Sequence, residues 1–283
     1  MTAILPRQFI EPNVQIFDLA AEANGASYEV RIGLPSTYAT GDRSYPLLVM
    51  LDADVAFGTV YETMMLNAMW SQAPLERERQ PVPEYIVVGI SLPDRAEKPF
   101  RRNFEYMPGE DGTAAFDLPR RYMERVSQWL GQEIKLGGAP IFQKVLAEEI
   151  IPAVEQHYRV SPDGRILLGA SAGGSFCCYT LFSRPELFAY YVIVSPGIGS
   201  TTIFDLEAAW AESHDDLDAG VYLSAGLDEV GDALMIPSST IRLAEQLSAR
   251  RYKSLRLHHM MFPDANHVDT VAPTLARALK TLL

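Results

Sequence analysis

Three residues on three separate stretches of this 283-residue chain have the types that acyl chemistry needs. Ser171 stands in Gly169-Ala170-Ser171-Ala172-Gly173, inside "RILLGASAGGSFCCYTLF", where a short apolar run passes directly into a run with helical spacing. A serine hydroxyl is a poor nucleophile at neutral pH. It needs an adjacent base, an acid that orients the base, and donors for the oxyanion formed on the attacked carbonyl. Strand, Gly-x-Ser-x-Gly, helix is the order in which a strained turn exposes such a serine at the edge of a sheet. The competing reading is a glycine-rich turn with no catalytic task, and the available partners decide between the two.

On such a scaffold the acid and then the histidine follow the serine, each on a loop after a strand. Five histidines are available. His157 precedes Ser171, His214 ends an acidic helical pattern, and His258 and His259 are consecutive in a strand-like run, one for each face. His267 lies in "FPDANHVDT", between the last apolar run and the last helical one, where the general base belongs. The acid should follow "AGVYLSAG", where Asp228, Glu229 and Asp232 stand. Glu229, three residues past the strand-ending glycine, is preferred, with Asp228 as the alternative. Such a carboxylate holds the imidazole in the correct tautomer and stabilises the imidazolium as it forms.

Two amides must face the oxyanion. Ala172 follows the nucleophile and supplies one; "LLVMLDADVAF" offers those of Ala53 and Asp54 for the other. The Asp54 side chain must then turn away, because a carboxylate beside a developing oxyanion opposes it. Arg102, next to Arg101, has the fork geometry that holds a substrate carboxylate, although paired arginines in an acidic chain also serve as surface ion-pair partners. Phe57, Tyr106 and Trp70 are candidates for an apolar acyl pocket, with core packing as their alternative role. The chemistry asks for no metal and no cofactor.

The elements that must carry these residues are legible as alternating β-rich and helical runs, which predicts an α/β fold with a mostly parallel central sheet flanked by helices. "VQIFDLA" and "SYEVRIGLP" predict an antiparallel hairpin at the start. "YPLLVMLDAD", "EYIVVGISLPD", "GRILLGAS", "AYYVIVSP", "AGVYLSAG" and "LRLHHMMF" read as further strands, separated by helical patterns such as "APIFQKVLAEEIIPAVEQHYRV". Between Arg101 and Gly138 the pattern degrades: a loop-like start, then a helix around "RRYMERVSQWLGQEI". A long excursion of this kind reads as an inserted cap or lid. With no repeat, low-complexity tract or linker, one domain over 1–283 is expected.

Composition limits the partners. A content of 48% hydrophobic residues supplies a large core, and a net charge of −12 opposes binding to polyphosphate backbones or anionic lipid surfaces. Neither nucleic acid nor a membrane is expected as a partner. Cys177 and Cys178 are the only cysteines and have no disulfide or zinc spacing. No signal-like segment opens the chain, so a cytoplasmic location is expected. The expected partner is a small-molecule ester; self-association into a homodimer is left open.

Taken together the motifs resemble the putative-esterase family of α/β hydrolases, which includes enterobactin and bacillibactin esterases and, more distantly, esterase D and the mycolyltransferases. "YPLLVMLDADVAF", "GGAPIFQKVLAEEIIPAVEQHYRV", "LLGASAGG", "VYLSAGLDE" and "FPDANH" occur in the family's order. The resemblance implies an α/β-hydrolase fold with Ser171 as nucleophile, Glu229 as acid and His267 as base. Two departures stand out: Ala53 replaces the family's glycine after Leu-Asp, and "FEYMP", Phe104 to Pro108, replaces its Arg-Asp-Tyr-Thr-Pro. The implied activity is a serine esterase cleaving a carboxylic ester, a lactone or siderophore-type ester included, through an acyl-enzyme. Acyl transfer by the same triad, or a hydrolase fold used only for binding, are the competing functions.

Overall fold

The computed structural model describes residues 11, 13–71, 81–109, 120–198, 202–229 and 235–283, the side chains of 120–123 excepted. In chain order the elements are β1 (Val14–Ala20), β2 (Ser27–Gly33), β3 (Leu47–Leu51), α1 (Ala53–Ser71), β4 (Ile86–Ser91), α2 (Lys98–Tyr106), α3 (Arg120–Leu130), α4 (Ala139–Val145), α5 (Ile151–His157), β5 (Ile166–Ala170), α6 (Ala172–Ser183), β6 (Tyr190–Val194), α7 (Thr202–Ser213), β7 (Gly220–Gly226), α8 (Ile236–Arg250), β8 (Arg256–Phe262) and α9 (Val271–Thr281). The eight strands form one sheet in the order β1-β2-β4-β3-β5-β6-β7-β8. The β1–β2 and β2–β4 pairs are antiparallel, and every pair from β4 to β8 is parallel. This is the mostly parallel α/β sheet that the alternating runs predict.

The central strands are apolar along their whole length because helices cover both faces. In β3, Leu47, Val49 and Leu51 enter one core while Leu48 and Met50 enter the other, the two-residue period of a strand. The first core holds Phe142, Val145 and Phe176 from α4 and α6 together with Leu243 from α8. The second is built on α1 and α9, through Phe57, Val60, Met64, Leu275 and Leu279. A sheet held from both sides keeps its C-terminal strand ends in fixed register, and the loops that leave those ends can carry chemistry.

Two helices depart from expectation. Residues Arg101–Tyr106, expected as a loop, form most of α2. Pro99 sits in its first turn, where the missing N–H costs nothing, and Arg101 pairs with Glu105 one turn on at 2.7 Å. The predicted long helix from Ala139 is three pieces: α4, a π turn over Leu146–Ile150, and α5. Pro152, just past the π turn, removes an N–H from the ladder and so favours a widened turn there. Of the excursion expected as a cap, residues 110–119 lie outside the described residues, and the described remainder carries most of α2, then α3 and the loop into α4.

Candidate active site

Ser171 is the single residue between β5 and α6 and adopts φ 58°, ψ −123°. That backbone is strained for a residue with a Cβ, and such strain persists only where the surroundings impose it. Its N–H donates to the Val194 carbonyl at the end of β6 (3.0 Å), and its own carbonyl accepts from Ser175 N–H (3.0 Å). The turn is also packed too tightly for larger residues. A Cβ on Gly169 would stand 2.2 Å from the Gly173 oxygen, and one on Gly174 would stand 2.9 Å from the Val194 oxygen. Gly173, which closes the pentapeptide, has more room: its nearest neighbours would be Leu51 at 3.5 Å and Asp52 Oδ2 at 3.6 Å. The glycine just outside the motif is therefore the more constrained of the two.

Two strands away, the loop after β7 meets the loop after β8. Gly226 lies against that second loop so closely that a Cβ would stand 2.2 Å from the Ala265 oxygen. Leu227 N–H and Asp228 N–H donate to the Phe262 and Ala265 carbonyls (2.9 and 3.0 Å). Thus docked, Glu229 is buried and its Oε2 is 2.8 Å from His267 Nδ1. Its Oε1 accepts from Gly226 N–H (2.6 Å) and from Ser195 Oγ–H. Burial pushes the Glu229 carboxyl up, but the hydrogen bonds from His267, Ser195 and Gly226 outweigh it and hold the group below the usual carboxylate range. An ionised carboxylate only accepts, so His267 donates to it from Nδ1, and the neutral tautomer that this bond selects is the one with its lone pair on Nε2. Asp228 is exposed, and its backbone N–H rather than its carboxylate ties it to the second loop.

Ser195 escaped the sequence reading. It is the first residue after β6, at φ 45°, with its N–H on the Ser224 carbonyl (2.7 Å). Its hydroxyl is shared with Thr270 Oγ1 (3.0 Å), which reaches back to the His267 carbonyl (3.4 Å). The end of β6 thus serves both halves of the site: Val194 receives the Ser171 amide, and the next residue holds Glu229. A small hydroxyl residue at a strand end was the only local sign.

The amides of Ala172, in the first turn of α6, and of Ala53 and Asp54, in the first turn of α1, are donors without intrahelical acceptors. They belong to neighbouring strand ends, since β3 pairs with β5. The Asp54 carboxylate is matched by Lys98 Nζ (2.6 Å), which answers the charge problem at this turn. Asp52, at φ 57°, is gripped by Arg102 through two parallel bonds of 2.7 Å. Arg102 is therefore no free fork for a substrate carboxylate, and Arg101 is likewise engaged with Glu105.

The aromatic candidates are placed differently from the acyl-pocket expectation. Phe57 is 6% exposed, stacks on Tyr61 at a centroid distance of 5.9 Å, and covers Gly89, where a Cβ would meet its ring at 2.5 Å. Tyr106 is 1% exposed, between Phe142 (5.2 Å) and Phe176 (6.1 Å). Both are core residues because the neighbouring elements already cover their rings. Trp70 lines a cleft of about 780 Å³ between α1 and α9 whose walls include none of Ser171, Glu229 and His267.

Comparison with known proteins decides the family. The family described as Putative esterase matches residues 21–230. The chain belongs to this family. It is a carboxylic-ester hydrolase. A similar curated protein is the ferri-bacillibactin esterase BesA of Bacillus subtilis, 25% identical over 97% of this esterase and 91% of that protein. The siderophore enterobactin esterase of Emericella nidulans is 28% identical over 66% of this chain and 58% of its own. Among solved structures, the BES protein from Bacillus cereus superposes with a TM-score of 0.79 at 21% identity, over 99% of this esterase and 98% of that chain. Siderophore hydrolase EstA from Aspergillus nidulans does so with a TM-score of 0.76 at 21% identity, over 98% and 97%. No helix among the described residues of the esterase is long and apolar enough to cross a membrane.

Proposed function

We propose that the esterase works through an acyl-enzyme on Ser171, with His267 as general base and Glu229 as the acid that orients it. The observation that carries this is the Glu229–His267 pair at 2.8 Å, in which the second carboxylate oxygen is occupied by two further donors, so that only one imidazole tautomer fits. His267 Nε2 takes the proton of Ser171 as its Oγ attacks the ester carbonyl, and then gives it to the leaving alcohol. Water, activated by the same nitrogen, releases the acid and restores the serine. The amides of Ala172 and of Asp54 or Ala53 receive the oxyanion. The substrate is a small-molecule ester, and the names of the related proteins make siderophore esters the first class to assay.

Labelling with a fluorophosphonate is the direct test. Wild-type protein should be labelled at Ser171 and should hydrolyse members of a panel of short-acyl aryl esters, macrocyclic lactones and catecholate siderophore esters. Ser171→Ala should abolish both labelling and turnover. An unlabelled wild-type protein, or a Ser171→Ala variant that still turns over ester, defeats the proposal.

A further inference from the structure

Arg102 joins three segments that are distant in sequence. From the middle of α2 its Nε and Nη2 each donate to one Asp52 oxygen at 2.7 Å, and Nη2 also reaches the Ala170 carbonyl at 3.3 Å. Asp52 is the strained residue that turns β3 into α1, and its carbonyl accepts from Val55 and Ala56 (3.0 and 3.3 Å), which leaves the Ala53 and Asp54 amides pointing out of the helix end. Ala170 is the residue immediately before Ser171. One guanidinium therefore ties the turn that offers the second oxyanion amide to the turn that carries the nucleophile. The Asp52 carboxylate itself lies against the first turn of α6, with Oδ2 3.6 Å from where a Cβ on Gly173 would sit. Lys98 Nζ stands 4.0 Å from Asp52 Oδ1 and is committed to Asp54.

We infer that Arg102 is a positioning residue for this reaction: it fixes the spacing between the two oxyanion donors and cancels a carboxylate that would otherwise oppose the oxyanion. The inference rests on the acyl-enzyme reading above. It assigns Arg102 a transition-state role, in place of the substrate-carboxylate contact that its residue type suggests. Interactions that matter only as the oxyanion forms appear in kcat, whereas a ground-state contact appears in KM. Arg102 touches no reacting atom in this scheme and acts through Asp52 and Ala170.

The test is steady-state hydrolysis of an aryl ester, run on wild-type protein first shown to label at Ser171 with a fluorophosphonate. Arg102→Gln is expected to lower kcat by about 10- to 100-fold, somewhat less than the loss of a whole oxyanion donor, with KM within about threefold. Arg102→Lys keeps the charge and loses the fork, so its kcat should fall between the two. Adding Asp52→Asn to Arg102→Gln removes the uncompensated carboxylate and should raise kcat at least about threefold over Arg102→Gln alone, a recovery that a merely structural arginine would not show. Circular dichroism checks the fold, and if Arg102→Gln fails it, Arg102→Lys carries the same kcat-against-KM comparison. Labelled, active wild-type protein combined with an unchanged kcat in these variants, or with a rise in KM alone, overturns the positioning role and leaves Ser171, His267 and Glu229 standing. Wild-type protein that is neither labelled nor active overturns both.

Discussion

Replacing Glu229 by Gln tests the proposed acid with a change of one atom, and its consequence can be worked from the hydrogen bonds around it. Both carboxylate oxygens accept: Oε2 faces His267 Nδ1, and Oε1 faces Ser195 Oγ and the Gly226 N–H. A glutamine presents one oxygen and one NH₂, so one side must meet donor with donor. If the NH₂ faces Ser195 and Gly226, the hydroxyl can rotate but the backbone N–H cannot. A buried donor left without an acceptor costs about 1–3 kcal/mol, a bias of about 5- to 150-fold against that orientation. The NH₂ therefore turns to His267, which must then accept on Nδ1 and carry its proton on Nε2. In that tautomer it cannot take the proton of Ser171, and a wrong tautomer of this kind costs up to about ten-thousand-fold in kcat. Glu229→Gln should thus lose about a thousand- to ten-thousand-fold in kcat, with KM little changed and the fold intact by circular dichroism. Asp228→Asn, at an exposed side chain, should stay within about twofold of wild type. A Glu229→Gln variant that keeps a tenth of wild-type kcat, or an Asp228→Asn variant with the same loss, refutes the assignment of the acid.

Ser195→Ala removes a hydrogen bond to a buried carboxylate and should destabilise the fold by about 1.5–3 kcal/mol at neutral pH, read from urea unfolding. Because the folded Glu229 carboxyl titrates below its reference value of 4.5, it stabilises the fold above that pH and loses this contribution as pH falls through the folded value. The gap between wild type and Ser195→Ala should close on acidification, and a gap that stays constant to low pH would show that Glu229 is not the group affected. At the elbow, Gly174→Ala places a Cβ 2.9 Å from the Val194 oxygen and 3.1 Å from Pro196 Cα, both backbone, and should cost about 1–3 kcal/mol. Gly173→Ala meets only ordinary contacts and should leave the melting temperature unchanged or raised, so equal stabilities of the two variants would contradict the packing described.

The scaffold was legible because its signals are local. A strand buried on both faces is a continuous apolar run, a helix between strands shows a 3.6-residue period, and the order of elements then leaves few ways to close a parallel sheet. The same logic placed Ser171, Glu229 and His267: each follows a strand and precedes a helix or loop, and parallel neighbours bring those ends to one edge. The helix α2 was missed because its nine residues are mostly charged or aromatic: Pro99 and the Arg101–Glu105 pair are its local signals, and the packing of Phe100 and Tyr106 onto the core is visible only in the fold.

The supporting shell was not legible, and the reason is distance along the chain. Arg102 meets Asp52 from 50 residues away and Ala170 from 68; Ser195 meets Glu229 from 34. No periodicity or motif relates such pairs, so residue type alone had to stand in for context, and type misleads where one side chain has several uses. An arginine suits a substrate carboxylate as well as it suits a structural one, and only the position of Asp52 decides. Phe57 and Tyr106 pose the same problem in apolar form: an aromatic residue suits an acyl pocket and a core alike, and these two are packed against Gly89 and Tyr61 and against Phe142 and Phe176. Candidate reacting groups on this scaffold follow strand ends, and those ends can be read from sequence order. Groups that hold them in place need only arrive there in space, and the identity of those groups follows from the folded chain alone.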